Sequence, residues 1–466
     1  MSLTRKIAFL FLFSAALAGS KVTTAQEEHR YFPESDPQVS GKLEQWQDLK
    51  FGLLMHWGPY SQWGIVESWS ICSEDEDWCR RKNPDYTAYK KEYEALQHTF
   101  NPIRFEPEKW AKAAKDAGMK YVVFTTKHHD GFCMFDTRTT DYKVTDPGCP
   151  FSINPKADIA KAVFDAFRNE GLWAGAYFSK PDWHNEFYWW PNFATPDRNV
   201  NYRIERYPDR WEKFVQFTQT QIDELMSDYG RIDILWLDGG WVCKDNRGQD
   251  IRMDEIVLRA RKKQPGLIVV DRAVPGVHQN YLTPENQVPG QFIPYPWESC
   301  IIAGGGWAWV PDAKYMTPRN AIHLLAEIVS KGGNLLLNIG PGPDGTWDPG
   351  AYELLVGIGK WMKLNGEAIY STRAVKPYKT EKVAFTMGKD GTEYAIYLPD
   401  ETEKIIPGKI MLYETFLKQG QKVTLMGSSE VLKHRTSGDG TVVWIPKELA
   451  GNPYCENAWV LKIEAR

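Results

Sequence analysis

Short, nearly continuous apolar runs alternate with longer stretches in which apolar residues return every three or four positions, from about residue 36 to residue 370. A continuous apolar run suits a strand covered on both faces, and the helical return suits a helix with one buried face. Strands are therefore expected at 51–55, 121–124, 172–178, 232–237, 267–270 and 335–339, with a further one near 296–300. Helices are expected at 106–117, 158–170, 209–229, 253–263, 318–331 and 350–364, with Gly118, Gly171 and Gly230 closing the first three. Strand and helix in strict turn imply a parallel sheet. Over this length the pattern predicts an α/β fold, a (β/α)8-like (TIM-type) barrel, imperfect if one or two helices are lost.

After residue 371 the helical return fades. Short β-like pieces at 383–387, 393–398, 423–426, 441–445 and 458–463 are separated by Gly, Pro and Asp at hairpin spacing. Residues 371–466 read as an antiparallel β-sandwich. At the other end, Arg5 and Lys6 precede the apolar run 7–13 and then small residues. Residues 1–25 read as a cleaved signal peptide, and no later run is long and apolar enough to span a bilayer, so an exported protein, periplasmic or secreted, is expected.

A chain of 466 residues suits two domains, and its net charge of −4 offers no basic field for nucleic acid. The 20 Trp, 22 Tyr and 21 Phe raise the expectation of a carbohydrate ligand, because aromatic faces stack on sugar C–H faces. Seven cysteines show no C-x-x-C spacing. Cys72 and Cys79 are near enough in sequence to bridge, and most of the others read as small buried hydrophobes.

Candidate chemistry falls where a barrel carries its active face, at the strand ends. His56 follows the first strand and Lys127-His128-His129-Asp130 the second. Tyr177, Ser179 and Asp182 end or follow the third, Trp236 and Asp238 the fourth, and Asp271-Arg272 the fifth. Glu298 falls near the sixth, and Asn338 ends the seventh. Any one of these is readily a satisfied structural group, and Asp238 alone suits a helix N-cap. Polar residues at seven successive strand ends point to a pocket. Two reactions fit it. Metal-assisted hydrolysis would use His56, His128, His129 and Asp238, but adjacent histidines on a strand point to opposite sides, and neither H-x-H nor H-E-x-x-H occurs. Glycoside hydrolysis by two carboxylates needs no metal or other cofactor. A sugar-binding protein without catalysis is a third reading.

Four blocks carry a resemblance to a known family. Residues 51–60, Phe-Gly-Leu-Leu-Met-His-Trp-Gly-Pro-Tyr, resemble the opening motif of the α-L-fucosidases of glycoside hydrolase family 29. Residues 121–132, Trp236-Leu237-Asp238-Gly239 and residues 332–341 are similar to three further blocks, in the same order. The resemblance covers about residues 40 to 370. It implies a retaining exo-α-L-fucosidase acting on fucosylated oligosaccharides or glycoconjugates through a covalent fucosyl-enzyme. It implies Asp238 as nucleophile, with His56, His128, His129, Tyr177, Trp236 and Arg272 around the sugar. Glu67 and Trp69 fall where the family shows an adjacent Glu-Trp pair; here Ser68 separates them. Glu298 is the expected general acid, because the Tyr295-Pro296-Trp297 segment before it would desolvate its carboxyl, and Glu285 is the rival.

Overall fold

Strand-forming residues buried on both faces leave little freedom in how the first 370 residues fold. The computed structural model describes residues 31–74, 79, 81–450 and 456–465; the expected signal peptide lies outside the described residues. Seven parallel strands form one curled sheet: β1 Phe51–Met55, β2 Tyr121–Lys127, β3 Trp173–Ser179, β4 Ile234–Asp238, β5 Ile268–Asp271, β6 Glu298–Ile302 and β7 Asn334–Asn338. Their order is β5-β4-β3-β2-β1-β7-β6. Every residue of β1, β2 and β7 is buried, as the unbroken apolar runs require.

The eighth staves position, between β5 and β6, is taken by an irregular segment. Gln279 bridges Val270, Leu282 bridges Trp297, and Glu285 bridges Cys300. The barrel is thus seven regular strands and one extended stretch that sets Glu285 beside Cys300 of β6. Leu54, Tyr121, Val123, Tyr177, Trp236, Val270 and Leu336 fill its interior. Gly52 makes room there: a Cβ at that position would lie 2.4 Å from the Tyr121 ring. Trp46 and Tyr281, stacked with centroids 4.0 Å apart, belong to the same interior cluster.

Helices cover the outer face. Pro107–Asp116, Ile159–Asn169, Pro208–Asp228, Met253–Lys263, Pro318–Ser330 and Pro349–Asn365 lie within two residues of expectation. Asp158 and Thr317 cap two of them by accepting from the backbone N–H of Lys161 and Asn320. Two helices, Pro37–Leu49 and Tyr86–Glu94, were not read from the sequence. Both bury only two or three side chains, so their apolar periodicity is weak. Cys72 carries a free thiol directed at the Glu74 carboxylate, 3.5 Å away, rather than a bridge.

The C-terminal region forms two antiparallel sheets. One has five strands, in the order Val423–Leu425, Trp459–Ile463, Glu393–Tyr397, Val383–Gly388, Thr372–Thr380; the other has three, Lys409–Tyr413, Gly440–Trp444, His434–Ser437. A separate apolar cluster including Phe385, Leu412, Leu425, Val443 and Leu461 lies in this region. The sheets meet the barrel through the helix Pro318–Ser330, whose Glu327 pairs with Lys379 at 2.7 Å, and through Pro349–Asn365 and the turn after it. Trp361, 1% exposed, donates its Nε1–H to the Ala458 carbonyl at 2.9 Å, and Thr386 donates to the Ala368 carbonyl at 2.7 Å. Trp361→Ala should lower stability by about 3–5 kcal/mol, through lost burial and the cavity left behind. Urea unfolding followed by circular dichroism measures it; Trp361→Phe should cost clearly less, and equal loss in both would mean that the hydrogen bond, not the packing, joins the two parts.

Candidate active site

A cavity of about 230 Å³ opens at the C-terminal ends of the strands, and Asp238 lies in its wall. The chain from β4 makes a turn at Gly239, φ +86°, and the next helix begins only at Met253, so Asp238 is not an N-cap. Its carboxylate is held from three sides. Arg272 Nη1 and the Gly239 N–H donate to Oδ1 at 2.9 and 2.8 Å, and the Tyr177 hydroxyl donates to Oδ2 at 2.7 Å. Strand register delivers these partners: Tyr177 pairs with Trp236 on β4, and Arg272 directly follows β5. Burial is the largest single influence on Asp238 and by itself would raise its pKa, but the Arg272 guanidinium, His129, Tyr177 and the Gly239 N–H together outweigh it and keep the carboxyl well below the usual range. Asp238 is ionised and oriented.

Three imidazoles stand beside it, His129 Nε2 lying 3.9 Å from Asp238 Oδ2. His56, His128 and His129 all line the cavity. His128 and His129 do not point to opposite sides, because β2 ends at Lys127 and both lie in the turn beyond it; their ring centroids are 4.2 Å apart. Burial pushes His56 and His129 down to about 4, and burial with the neighbouring His129 and His56 takes His128 well below its ordinary value. The rings are neutral at pH 7, so each offers one donor and one acceptor.

Glu67 and Trp69 both line the same cavity. Ser68 begins the short 3-10 turn Ser68–Ile71 and turns away from the cavity to meet His128 Nδ1 at 2.6 Å. The residue inserted between Glu and Trp therefore displaces neither from the wall. Burial pushes Glu67 up to about 8, against the Ala308 N–H that donates to its Oε1 at 3.0 Å. Trp69 meets His129 edge-on at 5.5 Å and stands beside Trp241 at 5.8 Å. Trp236 lies deeper, stacked on Tyr177 at 5.2 Å.

Glu298 is not where the sequence reading put it. It begins β6 rather than ending it, so it sits in the barrel interior and is 0% exposed. Tyr121 donates to it at 2.5 Å and Trp236 Nε1 at 3.3 Å. Glu298 does not line the cavity, whereas Glu285 does. Glu285 receives Arg272 Nη2, so one guanidinium joins Glu285 to Asp238. Glu285 is also the more open of the two, with 41% of its side chain exposed against 14% for Asp238.

Other strand-end residues prove to be satisfied structural groups. Lys127 pairs with Asp182 at 3.1 Å, Lys180 with Asp271 at 2.5 Å, and Tyr93 donates to Asp130 at 2.7 Å. Sequence reasoning missed Arg198 and Trp307, which line the cavity. The glycine run at 304–306 after β6 signals a close backbone approach before Trp307; nothing in the sequence around Arg198 marks it. Among the described residues, His128, His129 and Asp238 offer atoms within 4.8 Å of one another, a spacing that suits a metal ion. Arg272 puts a fixed positive charge on that same carboxylate, and Tyr177 and Gly239 take two more of its lone pairs, so the donor set favours an anion among hydrogen-bond donors over a cation site.

The alpha-L-fucosidase family model matches residues 18–367. Tissue alpha-L-fucosidase of Rattus norvegicus is 28% identical over 472 residues, covering 96% of this chain and 95% of that protein. Plasma alpha-L-fucosidase of Homo sapiens is 28% identical over 463 residues, covering 94% of this chain and 93% of that one. Among solved structures, alpha-L-fucosidase isoenzyme 1 from Paenibacillus thiaminolyticus superposes with a TM-score of 0.75 at 28% identity, over 92% of this chain and all of that one. Thermotoga maritima alpha-fucosidase in complex with fucose gives 0.72 at 27% identity, over 93% and 100%.

The interior placement of Glu298 has a measurable consequence. Burial pushes its pKa from 4.5 up to about 7, against the donors Tyr121, Tyr281 and Trp236. Between those values the folded protein binds a proton that the unfolded chain does not, so the stability due to this group is present below pH 4.5 and is lost as pH rises through about 7. The histidines act in the opposite sense, which makes the difference from Glu298→Gln the useful quantity. The melting temperature of wild type minus that of Glu298→Gln should fall as pH rises from 4.5 to 7.5. A difference that stays flat would place Glu298 in contact with solvent.

Proposed function

The chain belongs to the alpha-L-fucosidase family and is a glycoside hydrolase, and on that premise we propose that it removes terminal α-L-fucose from fucosylated glycans with retained configuration, Asp238 attacking and Glu285 serving as acid and base. The observation that carries this reading is that Asp238, held ionised by Arg272, shares one cavity with the more exposed carboxyl of Glu285. A retaining enzyme needs two carboxyls on either side of the scissile bond, one ionised and oriented, the other able to exchange a proton with the leaving oxygen.

In the first step Glu285 gives its proton to the glycosidic oxygen as the C–O bond breaks, and Asp238 attacks the anomeric carbon. The aglycone departs and a fucosyl ester forms on Asp238. In the second step Glu285, now ionised, takes a proton from water, whose oxygen attacks the same carbon and releases fucose and free Asp238. Arg272 and Tyr177 stabilise the Asp238 carboxylate before attack and again as it leaves. His56, His128, His129 and Glu67 suit the sugar hydroxyls, and Leu54, Trp236 and Cys300 give an apolar patch for the methyl group of a 6-deoxy sugar. Residues 1–25 support export to the periplasm or beyond, where fucosylated glycans are met.

Release of L-fucose from an aryl α-L-fucoside in excess chelator tests the reading directly, and activity that required added zinc would overturn it. Asp238→Ala should lose at least about a thousandfold in turnover while keeping its circular dichroism spectrum, and azide should restore part of it by attacking from the vacated side. The two acid candidates separate by leaving group. Glu285→Ala should slow a fucosyl disaccharide severely and spare the first step on a fucoside of an acidic phenol, which departs without a proton. Glu298→Gln should show no such dependence; if it did and Glu285→Ala did not, the acid assignment would be reversed.

A further inference from the structure

Two of the neutral histidines in the wall have their second ring nitrogen tied to a partner outside the cavity, and the partners differ in kind. His56 Nδ1 lies 2.9 Å from Asn338 Oδ1. The Asn338 amide is itself oriented: its Nδ2 donates to the Trp307 carbonyl at 2.7 Å and reaches the Gly306 carbonyl at 3.4 Å. Turned over, the amide oxygen would face those carbonyl oxygens, so Oδ1 is the atom that faces His56, and an oxygen there can only accept. Nδ1 of His56 therefore carries the hydrogen and Nε2 is left with a lone pair.

His128 is tied the other way. Its Nδ1 is 2.6 Å from Ser68 Oγ, and that oxygen already accepts from the Asp130 backbone N–H at 2.9 Å. Ser68 is 0% exposed, so its hydroxyl hydrogen needs an acceptor inside the protein. Among the described residues, His128 Nδ1 is the acceptor in reach. The Ser68 hydroxyl donates, Nδ1 of His128 has the lone pair, and the ring hydrogen is on Nε2.

We propose that the cavity reads sugar hydroxyls through histidines fixed in opposite tautomers: Ser68 holds His128 as an Nε2–H donor, and Asn338 holds His56 as an Nε2 acceptor. The assignment of the ligand as a sugar rests on the function proposed above; the tautomers rest on geometry alone. The two ring centroids are 5.5 Å apart, so one face of a single sugar meets both. A hydroxyl opposite His56 must give its proton, and one opposite His128 must receive one. Burial keeps both rings neutral, so neither preference is erased by protonation near pH 7. Ser68 is thus a positioning residue that acts through His128, and it is the residue that parts Glu67 from Trp69.

Ring-¹⁵N-labelled histidine and two-bond ¹H–¹⁵N correlation spectra distinguish the tautomers, with His56→Gln and His128→Gln assigning the signals. At pH 7.5 the unliganded wild type should show His56 protonated at Nδ1 and His128 at Nε2; the reverse at either ring overturns the proposal, whether or not any variant folds. In Ser68→Ala the His128 signal should become a mixture of tautomers and that of His56 should not move. In kinetics, Ser68→Ala should lower kcat/KM on an aryl α-L-fucoside about tenfold, the worth of one hydrogen bond. That loss should vanish for one of the three substrates lacking the 2-, 3- or 4-hydroxyl and persist for the others. An equal loss on all three would mark a merely structural role and overturn the positioning claim. A wild type inactive on every fucoside would instead overturn the proposed function, and the spectra would still decide the tautomers.

Discussion

A carboxylate withdrawn from water stays ionised only where a cation and hydrogen bonds replace its hydration, and the arrangement of this site follows from meeting that requirement at Asp238. Removing its partner would leave a buried charge uncompensated, a loss on the order of 3–5 kcal/mol. Arg272 must therefore arrive at one fixed place, which needs β5 in register with β4, Leu237 opposite Asp271. Tyr177 must reach the other oxygen, which needs β3 in register on the other side, Ser179 opposite Asp238. The sheet order puts β4 between these two neighbours. The geometry of Asp238 is thus a property of three adjacent strands rather than of a loop.

The same barrel holds a second buried carboxyl, and the comparison shows what the cation does. Glu298 and Asp238 both flank Trp236, Glu298 through the indole Nε1 and Asp238 two residues along β4. Glu298 meets only neutral donors, and burial pushes it up to about 7; Asp238 meets a guanidinium and falls well below the usual range. Both carboxyls accept from a tyrosine, and they are driven apart because only Asp238 has Arg272. A group like Glu298 is chemically suited to be an acid, but it lies beneath Trp236 and Tyr121 and does not line the cavity.

That separation explains what was legible in the sequence. Most strand and helix identities followed from apolar periodicity, and the bounds of those elements differ by one to three residues. Asp238, His56, Arg272 and Tyr177 were legible because each lies at or just past the end of a strand whose apolar run is unmistakable. Glu298 was misread for the same kind of reason. The apolar stretch Tyr295-Pro296-Trp297 precedes the strand instead of forming it, so a residue at the strand's beginning was counted at its end. The bridging segment around Glu285 has no periodicity of its own; its pairing with β5 and β6 exists only in three dimensions. Ser68 was visible as an interruption of a motif, but its contact with His128, 60 positions away, was not.

The contrast between the histidines and Glu285 also bears on where the proposed proton donor lies. A fucose unit presents the same hydroxyls whatever it was attached to, so the groups that read it can be buried, neutral and locked, as His56 and His128 are by Asn338 and Ser68. The leaving group varies from one glycan to another, and the proton must be delivered to it at the mouth. A carboxyl there has to stay in contact with water, both to receive a proton before the first step and to reach the water that ends the second. A rigid strand position such as Glu298 satisfies neither need. Glu285, on an irregular segment and joined to Asp238 through Arg272, satisfies both while remaining in fixed relation to the nucleophile.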